Sequence, residues 1–118
     1  PAGAMQPSGP ASKPAPKKLG ILVFPGVQVI DFTGPYEVLS GASSKTAGGP
    51  LFEVMTVGLS SEVFRAGSPT TGIRMLADRT IDDCPKLDIL VIPGGEIGSV
   101  EDSPKAMEWV NKAVGEAA

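Results

Sequence analysis

The sequence contains no histidine and a single cysteine, Cys84. Without histidine, the most frequent general base of enzymes is missing, and one thiolate is too few for a typical zinc site. A lone cysteine cannot form an internal disulfide, so nothing indicates an oxidising compartment and a cytoplasmic location is expected. Any chemistry on this chain must therefore use carboxylates and backbone groups, or groups from another chain.

Basic charge, aromatic residues and long apolar runs are also scarce. The net charge is −3, which is unlike the basic surface of a nucleic-acid-binding protein. No apolar run approaches the roughly 20 residues that span a bilayer. Hydrophobic residues make up 42% of the 118 positions and aromatic residues only 5%, so the chain can bury one small aliphatic core. We expect one domain with neither a nucleic-acid nor a membrane partner.

Three continuous apolar runs predict strands that are buried on both faces, as in parallel sheets. They cover residues 19–24, 52–59 and 88–93. The preceding 18 residues are rich in Pro, Ala, Gly, Ser and Lys and have no apolar periodicity. They predict a disordered leader over 1–18, followed by a domain over 19–118.

The segments between the strands contain turn and helix signals. Residues 62–66 and 72–78 flank the turn signal "GSPTTG" and predict an antiparallel excursion. "SKTAGGP" and "TIDDCPKL" predict a loop and an irregular segment. A first helix is predicted to begin at Gly34, with Pro35 at its first helical position and Glu37 in its first turn.

The second helix is predicted to begin after Ser103, a good N-cap, with Pro104 at its first position. Its inward face is expected to consist of residues at helical spacing. These are Ala106, Met107, Val110, Ala113 and Val114.

This order of elements is typical of an α/β fold with a mostly parallel sheet. A crossover helix normally carries the chain to another parallel strand, but no strand pattern follows the final helix. Three core strands alone would leave long unprotected sheet edges. We therefore expect the chain to be the N-terminal portion of a larger domain, completed by a C-terminal part that can be a separate chain.

The candidate chemical residues follow the first and third strands. Gly94 and Gly95 come directly after the third strand, and Asp31 follows an apolar stretch after the first. Because parallel strands end at one edge of a sheet, where ligands bind, these residues are expected to lie together. Glycine amides can stabilise a developing negative charge, and a carboxylate partly shielded by its apolar neighbours Val29, Ile30 and Phe32 can transfer protons.

For each of these candidates a purely structural role stays open from the residues alone. The glycine pair can be an ordinary turn, and Asp31 can be an acid that accepts backbone amides at a helix N-terminus. Glu37 is a second acid candidate, or else a solvated one. Cys84 follows two aspartates, which disfavour its thiolate, so we assign it a structural role. Trp109 is expected to pack or to lie at an interface.

Two stretches resemble the ThiJ/PfpI (DJ-1) superfamily, also called class I glutamine-amidotransferase-like. They are "GILVFPGVQVIDFTGPYEVLSGA" and "DCPKLDILVIPGGEIGSV". Within it the chain is most similar to isocyanide (isonitrile) hydratases and to the ligand-binding domains of AraC-type regulators. The resemblance implies a flavodoxin-like α/β sandwich whose nucleophile is a cysteine on an elbow after the next strand. The Cys-Thr-Gly or Cys-His-Gly setting of that cysteine is absent from this sequence.

The resemblance also implies roles for particular residues. Asp31 matches the catalytic acid of the hydratases, and Gly95 matches a backbone donor near the nucleophile. Thr33 and Gly34 are expected on a loop that closes the pocket, and Gly94 is expected beside the substrate. The resemblance further implies a small-molecule substrate, no metal or organic cofactor, and a homodimer of the completed domain. The stretch "GGEIGS" contains neither a P-loop lysine nor a dinucleotide-binding fingerprint, so it does not indicate a nucleotide cofactor.

Three functions remain open at this point. The first is a cysteine-dependent hydratase, a lyase active only when the chain is combined with the rest of its domain. The second is a non-catalytic sensor domain of an AraC-type transcription regulator. The third is another superfamily activity, glyoxalase-like, deglycase-like or chaperone, whose members more often have glutamate where this chain has "IDFTGP". The natural substrate is not identified by the sequence.

Overall fold

The structure is a computed structural model that describes residues 15–44 and 48–117. Its elements are numbered in chain order. They are β1 (Lys17–Leu22), α1 (Val29–Ser40), β2 (Ser43–Ser44), β3 (Gly49–Pro50), β4 (Phe52–Gly58), β5 (Phe64–Ala66), β6 (Ile73–Met75), β7 (Arg79–Thr80), β8 (Ile89–Val91), α2 (Gly98–Glu101) and α3 (Pro104–Glu116).

The central sheet has four parallel strands in the order β7-β4-β1-β8. β1 lies inside the sheet, where Leu19 pairs with Val54 on one side and with Ile89 on the other. Its apolar residues are fully buried because both faces of an inner parallel strand are covered. The α/β fold with a mostly parallel sheet is therefore confirmed.

The predicted antiparallel excursion is also confirmed, as the β5–β6 hairpin. The guanidinium of Arg65 closes it by donating to the Gly72 carbonyl at 2.8 Å. Two backbone bonds fasten the hairpin to the loop after β1: Gly26 N donates to Arg65 O, and Gly67 N donates to Val27 O, both at 2.8 Å. The hairpin thus braces the loop that leads into α1.

The predicted start of α1 is wrong. The helix begins at Val29, after Gln28 as N-cap, and Pro35 lies inside it. Proline at this position removes one backbone donor and normally disfavours a helix. However, the earlier start places Phe32 in the core, where it is 8% exposed, and burial of such a side chain outweighs local propensity.

The start of α3 agrees with the prediction. Ser103 is the N-cap, its Oγ accepts from Ala106 N at 3.1 Å, and Pro104 is the first helical residue. The buried stripe consists of Ala106, Val110 and Ala113. Val114 was expected on this face but is 58% exposed, because it lies about 70° round the helix from the centre of that stripe.

The remaining differences concern boundaries and short elements. β1 begins at Lys17, inside the predicted leader, while residues 1–14 of that leader lie outside the described residues. The predicted irregular segment contains part of β7, and the predicted loop after α1 contains parts of β2 and β3. Two-residue strands and the single-turn helix α2 carry no usable periodicity in a sequence.

None of the helices in the described ranges has the length and apolar character needed to cross a membrane.

Candidate functional site

The loops after β1 and β8 are joined beyond the carboxyl edge of the sheet. Gln28 N donates to Gly94 O at 2.9 Å, and Glu96 N donates to Gly26 O at 3.0 Å. Between these two bonds, Val27 lies opposite Gly95 in an antiparallel bridge. Because β1 and β8 are neighbouring parallel strands, the two loops leave the sheet side by side, as the sequence predicted.

Asp31 lies in the first turn of α1, directly above this junction. Its Oδ2 accepts a hydrogen bond from Gly94 N at 3.1 Å, and its own N donates to Gln28 O at 3.1 Å. The residue is half-buried. The predicted neighbourhood of Asp31 and Gly94 is therefore confirmed, although the expected shielding by Ile30 is wrong, because that side chain is 70% exposed.

The glycine pair lets the backbone pass against the loop after β1. Gly95 has a φ of 123°, and a Cβ there would stand 2.5 Å from Gly26 O and 2.7 Å from Gln28 N. No side chain fits in that space, and the conformation itself is one that glycine adopts readily. Within the described ranges, the Gly95 N–H has no hydrogen-bond acceptor, so it can donate to a ligand at this edge.

Thr33 and Gly34 lie within α1, so the prediction that they form a loop is wrong. The Thr33 hydroxyl donates to the Val29 carbonyl at 2.8 Å, one turn back in its own helix. Two residues correspond to about 200° round a helix, so Thr33 points away from the side where Asp31 meets Gly94. Gly34 lies about one turn after Asp31 on the nearer side, and a Cβ there would meet nothing within 4 Å.

Thr33 instead lines a separate cleft of about 460 Å³ between α1 and the β4 side of the sheet. Glu37, the second acid candidate, lies in the same cleft and not beside Asp31. The other lining residues are Phe32, Tyr36, Ser40, Thr56 and Asp78. The structure thus brings together Asp31, Gly94 and Gly95, and separates them from Thr33 and Glu37.

Sequence reasoning missed Gln28. A Cβ built on Gly94 would stand 3.0 Å from Asp31 Oδ2 and 3.5 Å from Gln28 Oε1, so both side chains reach the same point above that glycine. The spacing of three residues between Gln28 and Asp31 becomes informative only with the helix start at Val29, which the sequence prediction placed too late.

Cys84 lies away from this edge, in the segment between β7 and β8. It is half-buried, and its thiol donates to the Pro85 carbonyl at 3.3 Å. Burial raises the pKa of the Cys84 thiol, the negative charge of Asp83 raises it further, and Arg79 lowers it in part. A thiol of this kind is a poor nucleophile, which agrees with the structural role expected for it. In the described ranges no group of three or more Asp, Glu and Cys side chains is placed to hold a metal ion.

Known proteins resemble this chain in both sequence and fold. An isonitrile hydratase from Pseudomonas putida is 28% identical over 101 residues, which are 85% of this chain and 40% of that enzyme. A ThiJ/PfpI family protein from Bacillus anthracis is 26% identical with a TM-score of 0.67, over 88% of this chain and 49% of the other. One from Pseudomonas syringae is 21% identical with a TM-score of 0.68, over 97% and 46%, and supports the fold alone.

The chain therefore spans less than half the length of each of these relatives. The similarity covers most of this chain and is not restricted to a single motif. The model of the family described as DJ-1/PfpI matches residues 17–118, which include β1, the edge with Asp31, Gly94 and Gly95, and α3. On this evidence the chain belongs to the DJ-1/PfpI family.

Proposed function

We propose that this chain is the N-terminal portion of a cysteine-dependent hydratase that converts an isocyanide to an N-substituted formamide. The observation that carries the proposal is the hydrogen bond of 3.1 Å between Gly94 N and Asp31 Oδ2. It holds a carboxyl group next to Gly95, whose N–H has no acceptor among the described residues, at the edge where ligands bind in such sheets. The similarity to the isonitrile hydratase supports the choice of reaction.

In this proposal the nucleophilic cysteine belongs to the remaining part of the domain, which packs beside β8. The described cysteine, Cys84, is unsuited to the role because its raised pKa keeps it protonated. The completed domain acts in the cytoplasm as a homodimer on a small-molecule substrate. Covalent catalysis suits the reaction, since it divides one difficult hydration into easier steps.

The first half of the proposed reaction forms a thioimidate. The thiolate adds to the terminal carbon of the isocyanide and forms a C–S bond. Asp31, in its acid form, gives its proton to that carbon, which leaves R–N=CH–S-cysteine and an Asp31 carboxylate. The N–H of Gly95 lies at the same edge and can stabilise negative charge that develops on the substrate.

The second half releases the product. The Asp31 carboxylate takes a proton from water while the water oxygen bonds to the same carbon, and Asp31 then passes that proton to the nitrogen. The tetrahedral adduct collapses: the C–S bond breaks, the thiolate departs, and the hydroxyl group, now a carbonyl, gives its proton to the Asp31 carboxylate. The products are R–NH–CHO, the original thiolate and a protonated Asp31, so that one water has been added in total.

The proposal is tested with the completed domain, cyclohexyl isocyanide and the Asp31→Asn variant. Asparagine keeps an oxygen that can accept from Gly94 N but cannot transfer a proton, so we expect kcat/KM to fall by about 10²- to 10⁴-fold with the fold intact. The matched control is Asp102→Asn, which changes an exposed carboxylate at the end of α2 and should leave turnover unchanged.

Two outcomes would overturn the proposal. Unchanged turnover in Asp31→Asn would remove this residue from the mechanism. Binding of isocyanides or formamides without any turnover by the completed wild-type domain would instead favour a ligand-binding module, such as the sensor part of a transcription regulator.

A further inference from the structure

The side chain of Gln28 lies at the candidate site but forms no hydrogen bond with the described residues that would give it a structural role. Its Oε1 lies 3.5 Å from the point above Gly94 that Asp31 Oδ2 approaches to 3.0 Å. The residue is exposed, and within the described ranges its carboxamide makes no hydrogen bond. Gln28 is the N-cap of α1, yet its side chain does not cap the helix.

The backbone of Gln28, in contrast, is held from both sides. Its N–H donates to Gly94 O at 2.9 Å, and its carbonyl accepts from Asp31 N at 3.1 Å. Its φ and ψ are −69° and 121°, an unstrained extended conformation. The base of the side chain is therefore fixed relative to Asp31 and Gly94, while the carboxamide remains available to a ligand.

We propose that the carboxamide of Gln28 is a substrate-positioning group that hydrogen-bonds the oxygen added during hydration, first in the water and then in the formamide. This inference rests on the hydratase function proposed above. A carboxamide is suited to the task because it can donate from Nε2 to a carbonyl oxygen and accept at Oε1 from water, and it stays neutral at all relevant pH values. Asp31 is left to move the proton, and Gln28 holds the oxygen.

A neutral group beside Asp31 suits this division of roles. A second carboxylate there would disfavour the charged form of Asp31, whereas the carboxamide of Gln28 adds no charge. The absence of a side chain on Gly94 keeps this space open, because a Cβ there would stand 3.0 Å from Asp31 Oδ2 and 3.5 Å from Gln28 Oε1.

The test compares wild type, Gln28→Leu and Gln28→Glu in the completed domain. Leucine removes both the donor and the acceptor, and glutamate keeps an acceptor but loses the N–H donor. For Gln28→Leu we expect kcat/KM for cyclohexyl isocyanide to fall and the Kd for N-cyclohexylformamide to rise, each by roughly threefold to tenfold, the size of one neutral hydrogen bond. Gln28→Glu also places a charge beside Asp31, so both of its losses should be at least as large. Glu108→Leu, at an exposed position of α3, is the control for adding an apolar side chain and should change neither value.

Measurements of thermal unfolding separate positioning from a structural role. If Gln28→Leu unfolds at the wild-type temperature and binds formamide more weakly, the inference is supported. If it binds formamide and turns over isocyanide as wild type does, or if its losses follow a lowered unfolding temperature, the inference falls. A wild-type protein that binds formamide, more tightly than Gln28→Leu, but does not turn over isocyanide would overturn the hydratase function and leave Gln28 as a ligand contact. A wild-type protein that neither binds nor turns over would overturn both.

Discussion

Single glycine residues in this chain differ sharply in the space around their α-carbons. A methyl group on Gly95 would stand 2.5 Å from Gly26 O and 2.7 Å from Gln28 N, with φ at 123°. On Gly115, near the end of α3, it would meet nothing within 4 Å. The same chemical change therefore has opposite consequences at the two positions.

We expect Gly95→Ala to lower the free energy of unfolding by about 2–4 kcal/mol, since backbone strain and overpacking each cost about 1–3 kcal/mol. Gly115→Ala, the matched control, should raise it by about 0.5–1 kcal/mol, because alanine is the better helix former. Urea unfolding of both variants measures the difference. If Gly95→Ala and Gly115→Ala are equally stable, the loops after β1 and β8 do not pack as closely as in the structure.

The site itself was partly predictable at this scale. Asp31 and Gly94 were expected together because each follows a strand and parallel strands end at one edge, and that rule depends only on fold class. Gln28 was missed because the helix was expected to begin only at Gly34, whereas the structure makes Gln28 the N-cap of a helix that begins at Val29. Thr33 was misplaced because its position depended on where α1 begins, which the neighbouring proline obscured.

Among the elements, α3 shows how a boundary can be encoded by two adjacent residues. Ser103 caps the first turn through an acceptor Oγ at 3.1 Å from Ala106 N, and Pro104 occupies the one position where its missing N–H costs nothing. The helix packs against the core through Ala106, Val110 and Ala113. Loss of the cap would leave a backbone donor without a partner at the start of that contact.

We expect Ser103→Ala to lower the free energy of unfolding by about 1 kcal/mol, the usual value of such a cap. Ser103→Asp should keep most of the stabilisation that the cap provides, because a carboxylate also accepts from a backbone N–H of the first turn and is favoured by the helix dipole. Ser61→Ala, at an exposed turn position, is the control. If the alanine and aspartate variants unfold alike in urea, the hydrogen bond contributes nothing and another feature fixes the start of α3.

The helix boundaries that were predicted wrongly have a physical explanation. At α3 the local signal and the tertiary packing agree, so the sequence was sufficient. At α1 they disagree: Pro35 favours a later start, whereas burial of Phe32 requires the helix to begin at Val29. β7 could not be predicted from two residues, since its strand conformation comes from pairing with Val57 and Gly58 of β4.

In the molecule as a whole, the sheet order places β8 at an edge with one side unpaired in the described chain. The residues of β8 are only half-buried, whereas the apolar residues of β1 are fully buried. Next to it, an apolar notch of about 170 Å³ lies between the end of β8 and the last two helices. Its lining consists of Leu22, Ile92, Ile97, Val100, Glu101, Met107 and Val110. An open edge and an apolar notch in one place are the features that a further strand would cover.

The proposed association with the rest of the domain can be tested at this edge. Ile92 is 46% exposed and lines the notch, whereas Val114 is 58% exposed on α3 and does not line it. Burial of an aliphatic side chain contributes about 1.5–3 kcal/mol, and a charge placed there must also be desolvated. We therefore expect Ile92→Glu to weaken binding of the separately produced remaining part by roughly tenfold or more, and Val114→Glu to leave it unchanged. Titration calorimetry with both variants decides the matter: equal affinities would mean that the partner does not pack at β8, and the location proposed for the nucleophilic cysteine would have to be abandoned.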